Sequence, residues 1–238
     1  MKITQSLLLA ASAALAVPTL SAAQEIEVSG GVELTYGADL TGAGLGAAST
    51  GYEAGVEIAQ GGFTSGLGIE SIDEATDDFE LSLYTGYAVE SGAGTYGLTV
   101  TGYFWNNTGF QNYELTLGAE YSVSDNATVY GELTYNVTDA ETSAILGTEL
   151  SLGEAITVGL EAEYAFEAAT TDLTLSGEWA FNDTWAIGTE VGRSEADGNI
   201  YGEIGVTYAL AGGASVGLLY EDADDSDGTV SLVLGYEF

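Results

Sequence analysis

Glutamate is the residue with the most chemistry to offer in this chain, and it recurs at alternate positions through most of the sequence. Glu57, Glu132, Glu149, Glu161, Glu190 and Glu203 are examples, each on the parity opposite the apolar residues around it, as in Val56-Glu57-Ile58 and Leu160-Glu161-Ala162. Carboxylates can attract cations, ligate a metal or work as an acid and base pair. Nothing in the spacing singles out one pair for hydrolysis. Histidine and cysteine are absent, which removes Ser-His and Cys-His nucleophiles and His-dependent zinc sites. The chain is therefore not expected to be an enzyme, and no cofactor is expected. What remains is a collective role, in which the six glutamates named above form a ring whose field attracts cations and repels anions. That preference should fall as salt shortens the Debye length to about 8 Å and below. A second reading stays open: such acids also arise where a strongly acidic, salt-adapted protein simply solvates an interior face.

Such glutamates act together only if alternate residues share a face, which is the geometry of a β-strand. Segments of about ten alternating residues follow one another at 26–36, 51–60, 63–72, 78–90, 95–105, 112–123, 127–137, 143–152, 155–166, 171–181, 184–193, 199–210, 214–221 and 229–238. A tilted membrane strand needs about 9–11 residues. Connections alternate between tight turns such as Gly61-Gly62 and Asn182-Asp183 and mostly longer, often acidic loops, of which Gly37 to Thr50 is the longest. Short turns on one rim and longer loops on the other are the outer-membrane barrel pattern. The expected fold is all-β: an antiparallel up-and-down transmembrane β-barrel of about 14 strands, with about 12 to 16 compatible with the pattern. Twelve would follow if weaker segments such as 51–60 and 63–72 pair differently.

In these segments no acid falls on the apolar parity. A one-residue slip would turn every strand glutamate toward lipid. At about 1 kcal/mol each the total would exceed a typical stability of about 5–15 kcal/mol, so the register is strongly fixed. The aromatics gather on the apolar parity near strand ends. Tyr36, Tyr52, Phe104, Tyr113 and Tyr164 mark the loop side; Phe63, Tyr87, Trp185, Tyr208, Tyr236 and Phe238 mark the turn side. Two such belts match rings anchored at two membrane interfaces.

The amino terminus carries Lys2, an apolar run from Leu7 to Val17, and Ser21 and Ala23 at signal-peptidase spacing. Residues 1–23 are expected to be a secretory signal peptide, and 24–238 a single barrel domain. Once Lys2 is removed, Arg193 is the only basic residue against 37 acidic ones, so no nucleic acid partner is expected. With no cysteine, packing and hydrogen bonds must hold the exported chain.

The chain resembles Gram-negative outer-membrane porins, the alphaproteobacterial ones above all. The residues that carry the resemblance are the Glu27-Val28-Ser29-Gly30-Gly31 opening, the run Tyr201 to Tyr208, the turn Ala211 to Val216 and the terminal Gly235-Tyr236-Glu237-Phe238. The stretch Asp78 to Tyr121 is similar to the smaller TorF-type porins. The resemblance implies a passive diffusion channel for small hydrophilic solutes and cations. It places the protein in the bacterial outer membrane, among outer-membrane lipid and lipopolysaccharide, with export through the general secretory pathway. It also implies that Tyr236 and Phe238 are the signal read by the barrel-assembly machinery. A homo-oligomer stays open, but the trimeric constricted pore of the larger porins does not carry over, because the longest loop here is Gly37 to Thr50 and the lumen has no arginine cluster.

Other features have two readings each. Asp222 to Gly228 resembles a calcium loop but lacks its sixth-position glycine and twelfth-position glutamate; it is a solvated loop or a loose Ca or Mg binder. Tyr84, Tyr103, Trp105, Tyr130 and Tyr201 point inward, either filling space or forming a sugar slide. Arg193 reaches headgroup phosphate or pairs with Glu195. A non-transporting surface protein with a plugged lumen is the alternative to a channel.

Overall fold

The computed structural model describes residues 26–238 apart from 43, 73, 75, 197, 225 and 226. The expected signal segment 1–23 lies outside the described residues. Alternation of apolar and polar residues has the period of a strand, and the chain forms fourteen: β1 Glu27–Thr41, β2 Gly44–Gln60, β3 Phe63–Ser71, β4 Phe79–Ser91, β5 Gly94–Trp105, β6 Gly109–Ser124 and β7 Ala127–Asn136 make the first half. β8 Glu141–Leu152, β9 Ile156–Ala165, β10 Thr170–Asn182, β11 Trp185–Arg193, β12 Ile200–Ala209, β13 Ala214–Ala223 and β14 Thr229–Glu237 complete it. Each strand pairs antiparallel with its sequence neighbours, and β1 pairs with β14, so the sheet closes into a barrel. Closure removes the unpaired edges that hydrocarbon cannot satisfy.

The seam is set by Leu34 opposite Leu234 and Tyr36 opposite Leu232. At its end Gly30 and Phe238 exchange backbone hydrogen bonds of 3.1 and 3.0 Å. A side chain at Gly30 would meet the ring of Phe238 and the carbonyl of Gly55, so only glycine admits the terminal aromatic there. On the opposite parity to the glutamates, large apolar side chains are bare: Leu117 is 54% exposed and Leu218 60%. Among the described residues Val233 is the one buried apolar side chain. The barrel is thus greasy outside and polar within, as a lipid solvent requires. Ring pairs sit near both ends of this band, with Phe63 and Tyr87 at 4.5 Å and Trp185 and Tyr208 at 4.7 Å on the turn side. Tyr164 and Phe166 at 5.0 Å lie on the loop side. The β2–β3 turn puts Gly61 and Gly62 at φ 60° and 85°, the type I′ geometry that matches strand twist.

Two sequence expectations need correction. Most of the stretch 37–50 is not a loop: β1 and β2 continue pairing through Gly37 with Ser49, Ala38 with Ala48, and Leu40 with Leu45, across a bulge between Ala38 and Leu40. Its small residues carry no hydrophobic alternation, yet backbone pairing does not need any. The longest connections are then 72–78, 194–199 and 224–228, all on the loop rim. The second concerns parity, because β13 extends beyond residue 221 and brings Asp222 onto the outward face. There, at the loop-side rim, its carboxylate accepts the Tyr220 hydroxyl at 2.9 Å.

Candidate functional site: the barrel lumen

The barrel surrounds a cavity of about 980 Å³, and among the described residues every one that lines it belongs to a strand. Threonines 35, 64, 95, 99, 116, 128, 157 and 207 and several glycines form much of the wall, with Glu33, Glu120, Glu132, Glu149, Glu161 and Glu178 among them. Of the six glutamates expected to act as a ring, Glu132, Glu149 and Glu161 line this one cavity. Glu190 and Glu203 face each other across β11 and β12. Five of the six therefore lie on β7, β8, β9, β11 and β12. Glu57 stands apart on β2, where its carboxylate accepts the Tyr84 hydroxyl at 2.8 Å.

Register brings together acids that the sequence pattern did not single out. Glu33, Glu53, Glu70 and Glu80 stand directly opposite one another across β1, β2, β3 and β4, forming a ladder of four carboxylates. Glu190, Glu203 and Glu221 form a second ladder across β11, β12 and β13. Like charges directly opposite repel, so each ladder is a place where cations or protons are favoured. Turn length and bulges decide which glutamates face, and no local periodicity records that.

The inward aromatics are hydrogen-bonded to the wall. Trp105 Nε1 donates to Glu80 at 2.6 Å, the Tyr103 hydroxyl to Glu114 at 3.1 Å, and the Tyr130 hydroxyl to Glu161 at 2.9 Å. Tyr201 and Thr174 hydroxyls are 3.0 Å apart. A neutral donor next to a carboxylate leaves its charge in place while fixing its position. On the inward parity of β14, Ser231 and Val233 are buried, at 2% and 5% exposed.

Above the lumen, side chains just past the odd strands cap the start of the preceding even strand. Asn106 Oδ1 accepts the backbone N–H of Asp78 and of Phe79 at 2.8 and 3.2 Å. Glu167 accepts that of Thr142 at 2.7 Å, and Glu195 that of Thr171 at 2.8 Å. Glu195 is thereby engaged, and among the described residues no ion pair joins it to Arg193. The tightest clasp is Asp77, 2% exposed. Its carboxylate accepts the N–H of Asn107 at 2.6 Å and of Thr108 at 3.0 Å, and the hydroxyls of Thr76 and Thr108. Burial works to raise this carboxyl's pKa, but those four donors outweigh it and hold the carboxyl below the usual carboxylate range. In the stretch Asp222 to Gly228, Asp224 accepts the Ile200 N–H at 3.4 Å. Residues 225 and 226 of that stretch lie outside the described residues, and among those described no cluster of three or more metal-ligating side chains occurs.

Tyr236 and Phe238, implied to be an assembly signal, both lie on the outward face, with ring centroids 6.2 Å apart. No family model matches the chain, and no curated protein matches it in sequence. Solved structures do match in shape. Two mutants of the Rhodopseudomonas blastica porin superpose with a TM-score of 0.62 at 14% and 13% identity, covering 90% of this chain and 100% of theirs. A structure described as "Asymmetric conductivity of engineered proteins" superposes at 0.56 with 15% identity and the same coverage. The chain folds as a closed fourteen-strand barrel of the porin type.

Proposed function

We propose that this protein is an outer-membrane porin through which small hydrophilic solutes diffuse passively, with a preference for cations. The observation that carries the reading is that, among the described residues, the cavity inside the barrel is lined by strand residues, with no loop among them. That argues against the plugged surface protein kept open as the alternative. Support for the channel comes from the shared fold with the Rhodopseudomonas blastica porin and from the bare apolar exterior. The cation preference rests on Glu132, Glu149 and Glu161 on the cavity wall and on the two carboxylate ladders, with no arginine or lysine on the inward face among the described residues. Fixed negative charge at the wall of a water-filled passage concentrates cations and excludes anions. The outer membrane, the assembly role of Tyr236 and Phe238, and contact with lipopolysaccharide belong to the same reading.

Refolded protein in a planar bilayer under a salt gradient tests it. A stepwise conductance whose reversal potential has the sign of cation flow is expected. Anion preference would reject the electrostatic part, and silence from inserted protein would reject the channel.

A further inference from the structure

Three inward tyrosines share one arrangement that recurs around the wall. Tyr84 on β4 stands opposite Gly66 on β3, which stands opposite Glu57 on β2. Tyr130 on β7 stands opposite Gly147 on β8, which stands opposite Glu161 on β9. Tyr201 on β12 stands opposite Gly192 on β11, which stands opposite Thr174 on β10. In each row the ring passes over the middle glycine, and the hydroxyl meets a hydrogen-bond partner two strands away, Glu57 at 2.8 Å, Glu161 at 2.9 Å and the Thr174 hydroxyl at 3.0 Å. A methyl group on Gly66, Gly147 or Gly192 would overlap the ring and hydroxyl of its tyrosine. The last two rows run in opposite directions and meet, because Glu161 and Thr174 are themselves paired across β9 and β10.

We propose that Gly66, Gly147 and Gly192 are positioning residues that set the bore of the channel, each providing a recess that holds a tyrosine against the wall and out of the permeation path. The inference rests on the channel reading above. A side chain on the glycine takes the space the ring occupies, and backbone on the wall side leaves the ring one way to go, into the lumen. The displaced ring narrows the passage. It also withdraws the hydroxyl from Glu57 or Glu161, so the carboxylate loses the donor that fixes it. None of this shows in an apolar and polar pattern, since tyrosine and glycine sit on different strands and meet only through register.

The test is unitary conductance of Gly147→Ala, Tyr130→Ala and the double variant, with Gly192→Ala and Tyr201→Ala as an independent second set. Folding of each is checked by heat-modifiable gel migration. The expected result is a smaller conductance for each glycine variant and its recovery when the paired tyrosine is also removed. Recovery separates the recess from a general structural defect, which removing a second side chain would not repair. Wild-type conductance in both glycine variants, or a loss that persists in both double variants, would overturn the proposal. A silent wild-type protein would instead overturn the channel reading, and the bore role with it.

Discussion

Glu203 stands between Glu190 and Glu221 on facing positions of three strands, and one of its carboxylate oxygens has no hydrogen-bond partner. Relieving repulsion between directly opposed like charges contributes about 0.2–1 kcal/mol. Glu203→Gln is therefore expected to raise stability by about that amount in urea unfolding from micelles, and to move the reversal potential toward zero. Loss of stability would show that the charge is held by a counter-ion that the amide cannot replace. Asp77 is the opposite case, a carboxylate whose partners are all donors. Its pKa is held below the ordinary range, so its stabilising effect is fully present above the unfolded carboxylate pKa and is lost as pH falls through the folded value. Asp77→Ala should leave the barrel intact but speed proteolysis within 72–78 at neutral pH, and acidification of the wild type should do the same. Unchanged cleavage in the variant would show that the Asn106 caps suffice alone. The inward parity of Glu203 was legible in the sequence; its two charged neighbours were not.

Strands place these side chains, and the two faces of one strand should respond very differently to the same substitution. Leu117 and Thr116 are adjacent on β6, one bare to lipid and one on the cavity wall. Leu117→Arg is expected to cost about 2–4 kcal/mol, the figure for arginine near the bilayer midplane. Thr116→Arg should cost far less and shift selectivity toward anions. Guanidinium or urea titration of both variants in lipid checks the stability difference, and comparable losses would mean that the outward band does not face hydrocarbon. Strand existence and facing were legible because a period of two is a local property of ten residues. The hairpin 37–50 was not, because Gly and Ala on both parities erase the periodicity while leaving the backbone free to pair.

At the scale of the whole molecule the charge balance predicts how transport responds to salt. With the Debye length falling from about 10 Å at 0.1 M to about 3 Å at 1 M, the proposed cation preference should weaken steadily across that range. Reversal potentials at fixed gradient ratio and rising mean salt measure it. A preference independent of salt would point to specific cation coordination at one of the ladders. The chain's own order of residues determined that the protein is all-β, that its strands are of membrane length, and that acids and greasy side chains lie on opposite faces. Each of these is written in nearest neighbours along the chain. Closure of β1 on β14, the ladder Glu33, Glu53, Glu70 and Glu80, and the tyrosines resting over Gly66, Gly147 and Gly192 were decided only in three dimensions. They depend on cross-strand register, which accumulates through each turn and each bulge around the barrel.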